Sequence, residues 1–74
     1  GTQAWLPLLT EQPTTLHIRL TDLSGRVVAS PGPMALPAGS HQLELPVQNL
    51  ANGLYIYHIQ TPQSTASGRI QIMK

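Results

Sequence analysis

The sequence predicts an all-β fold, a small antiparallel sandwich of seven short strands, and three observations carry that prediction. Prolines at positions 7, 13, 31, 33, 37, 46 and 62 leave no proline-free helical pattern before residue 47, since a proline inside a helix removes a hydrogen bond and clashes with the preceding turn. Beyond residue 47 the chain carries Asn52-Gly53, several β-branched residues and Gly68, all poor helix formers. Apolar residues recur at every second position, the period of a pleated strand.

The strands are expected at about residues 4–9, 15–22, 26–30, 34–36, 41–47, 54–60 and 68–73. The clearest alternation sets Leu16, Ile18 and Leu20 against His17, Arg19 and Thr21. Asp22-Leu23-Ser24-Gly25 has the Asp-first, Gly-last form of a type I turn, which folds 16–21 back onto 26–29 as a hairpin. Ser30-Pro31-Gly32-Pro33 and Pro37-Ala38-Gly39-Ser40 bracket the short fourth strand. In the fifth, Leu43, Leu45 and Val47 oppose Gln42, Glu44 and Pro46, and Pro46 marks an edge or an end. Leu54–Ile59 is apolar on both faces, the pattern of a central strand covered on both sides. Thr61–Ser67 reads as a polar loop, and Ile70 and Ile72 alternate with Arg69, Gln71 and Met73 in the last strand.

Leu50-Ala51-Asn52-Gly53-Leu54-Tyr55 places a tyrosine just after a glycine turn, at the entry to the second-to-last strand. The tyrosine corner of immunoglobulin-like sandwiches sits at that position, its hydroxyl bonding back to the chain. The rival is an Asn-Gly hairpin joining 43–51 to 54–60. With the corner, the expected fold is a small immunoglobulin-like seven-stranded antiparallel β-sandwich.

Seventy-four residues make one small domain, with no cysteine to staple it. Residues 1–3 read as linker or cloning remnant and 4–74 as the domain; the absence of an initiator Met reads as a piece of a longer protein. No stretch approaches the ~20 apolar residues of a membrane helix. Charged residues are 9% of the chain, against about 25% in ordinary domains. A net charge of +1, with Arg19, Arg26, Arg69 and Lys74 dispersed, argues against a nucleic-acid partner.

Little in the chain invites catalysis. His17, His41 and His58 stand singly, without His-x-His or His-x-x-x-His spacing, and read as solvated strand-face residues rather than metal ligands. Ser24-Gly25 lies in a hairpin turn and lacks a Gly-x-Ser-x-Gly elbow. Paired-carboxylate hydrolysis has only Glu11, Asp22 and Glu44 to draw on, and the turn already uses Asp22. The expectation is no catalytic residue, no metal, no cofactor and no small-molecule substrate. Trp5, in a core without phenylalanine, is expected to cap the core from the first strand; exposed, it can anchor a sugar or a partner.

Four motifs in order resemble a known family. Leu20-Thr21-Asp22-Leu23-Ser24-Gly25-Arg26-Val27-Val28 resembles the L-x-D-x-x-G-[RK]-x-V strand–turn–strand of the C-terminal sorting domains (type A) of the Bacteroidota type IX secretion system. Pro37-Ala38-Gly39-Ser40-His41 is similar to that family's aG-x-h turn, and Leu50–Ile56 to its L-x-x-G-x-Y-[IV] block. Arg69–Lys74 is similar to its closing basic strand, with Arg69 where Lys is commoner. The family's opening Pro-containing strand is not recognisable in Gln3–Thr10.

The resemblance implies an immunoglobulin-like sandwich that directs a cargo protein across the outer membrane to the cell surface. It also implies partners, an outer-membrane shuttle β-barrel and a sortase, and a signal read from Gly68, Arg69, Ile70, Gln71, Ile72, Met73 and Lys74. Asp22, Gly25, Arg26, Val28, Gly39, Gly53 and Tyr55 are then the structural motif residues. Read from residues alone, a terminal strand offers main-chain groups for strand addition, or it merely closes the sheet with Lys74 solvated. Two other readings stay open: an adhesive module binding glycan through Trp5, and a sorting domain retained on a surface component of the machinery. A homodimer through an uncovered edge strand is a further partner reading.

Overall fold

A computed structural model describes residues 4–74; residues 1–3, expected as linker, lie outside the described residues. Seven strands form two antiparallel sheets: β1 (Trp5–Thr10), β2 (Thr14–Thr21), β3 (Val27–Ala29), β4 (Met34–Leu36), β5 (Gly39–Glu44), β6 (Gly53–Gln60) and β7 (Thr65–Ile72). β1 pairs with β5, and the larger sheet runs β3-β2-β6-β7 with β4 also paired to β2. The sandwich and its strand count agree with the sequence reading.

Alternation decides which side chains fill the space between the sheets. Leu16, Ile18 and Leu20 of β2 point inward with Tyr55 and Ile59 of β6 and Ile72 of β7. Leu43, Leu45, Val47 and Leu50 close the core from the other side, with Leu6 and Leu8 packed against it. Burial of this aliphatic set, at about 25 cal/mol per Å² of apolar surface, is the main favourable contribution to folding.

Three features differ from expectation. β5 ends at Glu44 rather than 47, because Pro46 has no N–H for a ladder; Leu45 and Val47 remain buried in the irregular chain that follows. β7 starts at Thr65, so the seven-residue loop expected at 61–67 shrinks to a turn in which the Thr61 N–H donates to the Ser64 carbonyl at 2.8 Å. β6 is central in its sheet, as expected, but among the described residues no layer covers its outer face, where Leu54 is 36% exposed and Ile56 and His58 are half-buried.

Trp5 is the main correction. Expected to cap the core, it lies 52% exposed on the outward side of β1 with Pro7 and Leu9. Its neighbours Ala4 and Leu6 take the inward positions, and period two leaves the tryptophan no alternative.

Candidate functional site

The sequence motifs converge on two structural units, a turn after β2 and a clasp at the end of β7. In the turn, Asp22 is the organiser. Its Oδ1 accepts from the Ser24 N–H at 3.0 Å, the Ser24 hydroxyl at 2.6 Å and the Arg26 N–H at 3.0 Å. The Gly25 N–H donates to the Asp22 carbonyl at 3.1 Å, and Arg26 Nε lies 3.4 Å from Asp22 Oδ2. Gly25 adopts φ 93°, which a side chain disfavours. The Ser24 hydroxyl bond and then the Arg26 backbone bond hold the Asp22 carboxyl below its ordinary pKa. Val28 is half-buried against the core and Leu20 pairs with Ala29, so the expected hairpin is present, with a bulge at Leu20/Thr21. Asp22, Gly25 and Arg26 are thus linked by direct bonds.

Gly39 opens β5 at φ 130° opposite Thr10. Here the histidine reading changes. His41 is not on a solvated face: it sits on the inward side with Leu43, half-buried, its Nε2 2.8 Å from the Pro37 carbonyl and 3.3 Å from Thr10 Oγ1. His58 is also half-buried, with Nε2 3.4 Å from Thr21 Oγ1, while His17 is exposed as expected. Among the described residues no three His, Cys, Asp or Glu side chains gather as a metal set.

The clasp begins at the tyrosine corner. The Tyr55 hydroxyl donates to the Ala51 carbonyl at 2.7 Å, and β6 pairs with β2 and β7, not with β5. The corner therefore holds and the Asn-Gly hairpin does not form. Gly53 faces Ile72 in the β6–β7 register. Beyond Ile72 the chain stays tied to the corner loop: the Lys74 N–H donates to Asn52 Oδ1 and its Nζ to the Gln48 carbonyl, both at 2.9 Å. Lys74 is exposed as expected but also anchored, and nothing in the local sequence signals that Gln48 and Asn52 are its partners.

Within β7, Ile72 is 2% exposed and Ile70 half-buried opposite Tyr55, while Arg69, Gln71 and, just after the strand, Met73 are exposed. Gly68 pairs with Tyr57, whose ring lies across it; a β-carbon at 68 would collide with the ring carbons at 2.5 and 2.7 Å. The glycine is a seat for an aromatic side chain. Sequence reasoning missed this contact, although counting back from the 61–64 turn would have paired the two residues.

Among the described residues β7 is an edge strand, bonded to β6 alone. Paired residues of an antiparallel ladder alternate between bonded and non-bonded pairs. Counted from the Thr61–Ser64 bond, Ala66, Gly68, Ile70 and Ile72 bond toward β6. The N–H and C=O groups of Thr65, Ser67, Arg69 and Gln71 then point to the free edge. Such a row is a template for another strand.

The family comparison matches the same stretch. A model of the secretion system C-terminal sorting domain matches residues 6–73. No curated protein and no solved structure matches the chain. The matched span holds the Asp22 turn, the tyrosine corner and nearly all of the clasp, and the chain belongs to the family of C-terminal sorting domains of the type IX secretion system.

Proposed function

We propose that this secretion-signal domain works as a folded docking module, without catalysis of its own, and that Gly68–Lys74 is the segment its receptors read. The domain directs a parent protein from the periplasm to the cell surface. In this reading the outer-membrane shuttle β-barrel engages the β7 edge and the residues after it, and the sortase follows. One observation carries it: β7 offers a free edge while buried Ile72 and the Lys74 bonds to Gln48 and Asn52 hold its end in place. A pre-ordered strand binds without first losing its own conformational entropy.

Deleting Ile72–Lys74 from the full-length parent is expected to abolish export, and normal export would end this reading. Ser67→Pro separates docking from folding. The Ser67 N–H points to the free edge, so proline there removes no β6–β7 bond yet blocks an added strand. Export should fall while the thermal midpoint stays near that of the parent.

A second reading, an adhesive module, draws on the exposure of Trp5 beside its cross-strand partner Glu44. Trp5→Ala leaves export intact under the docking reading and removes surface adhesion under the adhesive one. Retention of the domain on a surface component is decided by the mass of the mature parent. Self-association through the β7 edge would appear in light scattering across concentrations.

A further inference from the structure

The end of β7 holds both partners of a reaction that the chain can carry out on itself. There are two asparagines, Asn49 before Leu50 and Asn52 before Gly53. An asparagine followed by glycine is prone to deamidation, because no β-carbon on the next residue shields the backbone nitrogen from the side-chain amide. Asn52 is exposed to the water that the reaction needs. Counted from the Thr61–Ser64 bond, Gly53 and Ile72 fall on a bonded pair, so the Gly53 N–H donates to the Ile72 carbonyl. Further along the chain, the Lys74 N–H donates to Asn52 Oδ1 at 2.9 Å. Nucleophile and electrophile are thus tied to alternate residues of one strand end, and Ile72, buried in the core, fixes that end.

We propose that Asn52 is a spontaneous deamidation site that the docked end of β7 keeps closed, so that the domain ages chemically only while its last strand is released. In the reaction the Gly53 nitrogen gives its proton to hydroxide and attacks Asn52 Cγ. The bond from Cγ to Nδ2 breaks, ammonia leaves, and a succinimide ring remains. Water then adds to one of the two ring carbonyls. Addition at Cγ breaks its bond to the Gly53 nitrogen and yields aspartate. Addition at the main-chain carbonyl breaks the original peptide bond and yields isoaspartate, with the chain running through Cβ. The net change is water in and ammonia out. A donor on Oδ1 polarises the amide. Ring closure, however, also requires the Gly53 nitrogen to lose the proton that the Ile72 carbonyl holds, and the side chain to swing over it. Both movements need the clasp open. When opening and closing are fast compared with the chemistry, the rate follows the open population.

The two products differ in consequence. Aspartate keeps an acceptor for the Lys74 N–H. Isoaspartate does not rebuild the corner, because an extra backbone atom between Ala51 and Gly53 shifts the acceptor of the Tyr55 hydroxyl away from the residue paired with Ile72. Prolonged release of the strand therefore becomes permanent. The inference stands on the clasp alone and needs no docking partner.

The test follows Asn52 in the 74-residue chain, held at mildly alkaline pH in buffer and in guanidinium chloride, by mass spectrometry of fragments cut at acid pH. In guanidinium, a carboxyl is expected to replace the amide at Asn52 well before Asn49, where Leu50 shields the nitrogen. In buffer the rate at Asn52 should be lower by about tenfold or more. Lys74→Pro removes the N–H that bonds Oδ1 without touching the core. It should raise the rate in buffer about fivefold and leave the rate in guanidinium unchanged. Ile18→Val, which weakens the core toward the far end of β6 by a similar amount, should leave both rates unchanged. The isoaspartate form, separated by chromatography, should have lost slow amide exchange at Gly53. No conversion at Asn52 in guanidinium, equal rates in buffer and guanidinium, or an unchanged or slower rate in Lys74→Pro overturns the proposal. A rise in Ile18→Val as large as in Lys74→Pro also overturns it, since global unfolding then exposes the site. Isoaspartate chains whose Gly53 amide exchanges as slowly as in the parent overturn the permanence of the change.

Discussion

The Asp22–Arg26 turn and the Gln48–Tyr55 corner both carry family motifs, yet they are held together differently. Every bond that shapes the turn runs between residues no more than four apart. The corner has two such bonds, from the Tyr55 hydroxyl to Ala51 and from the Leu50 N–H to Val47, but it is closed from a distance by Lys74 and by the buried side chain of Ile72. The turn can form as soon as its five residues exist. The corner is complete only when β7 has docked, which makes it a reporter of whether the signal strand is in place.

Substitutions can break this contrast, beginning with the largest effect. Ile72→Ala removes a fully buried side chain at the clasp and is expected to cost about 2–5 kcal/mol, read from denaturant unfolding. Its distinctive mark is faster amide exchange at residues 48–55, with the 22–26 turn unchanged. Equal loss of protection at both sites would mean that the corner is as self-contained as the turn.

Gly68→Ala forces the Tyr57 ring off β7 and is expected to cost about 1–3 kcal/mol through overpacking. Adding Tyr57→Ala should recover part of that loss in a double-mutant cycle, because the two residues are in contact. Additive effects would remove the ring seat from the description.

Tyr55→Phe deletes one hydroxyl bond and should cost about 0.5–1.5 kcal/mol. Unlike Ile72→Ala, it should loosen Ala51 while leaving the Lys74 amide protected by Asn52.

The smallest effect belongs to the turn. Because the folded pKa of Asp22 is lowered, its contribution is fully present above the unfolded pKa and disappears as pH falls through the folded value. An NMR titration of its carboxyl carbon should have a midpoint below that of an unstructured aspartate. Asp22→Asn should flatten the acid limb of stability only slightly, since the group is exposed and solvent screens it.

The contrast also accounts for what could be read in advance. Asp22, Gly25 and Arg26 were legible because turn chemistry is a matter of a few consecutive residues. Tyr55 was legible through its position after Gly53, since its acceptor is only four residues away. The bulk of Trp5 argues for the core, but parity decides its place: with Leu6 and Leu8 facing in, position 5 faces out. The polar residues of Thr65–Ser67 read locally as loop. An edge strand with one solvated face accepts such residues, and pairing with His58, Ile59 and Gln60 decided the matter.

By itself, then, the sequence determined the all-β class, the seven strands, the two motif turns and the family, because alternation and turn chemistry act over a few residues. Only the tertiary structure decided that β7 is a free edge, that Tyr57 rests on Gly68, and that Lys74 is tied to Gln48 and Asn52. Each of these depends on which strands become neighbours and in what register. That choice follows from how the whole apolar set is buried together, and no local stretch of the chain contains it.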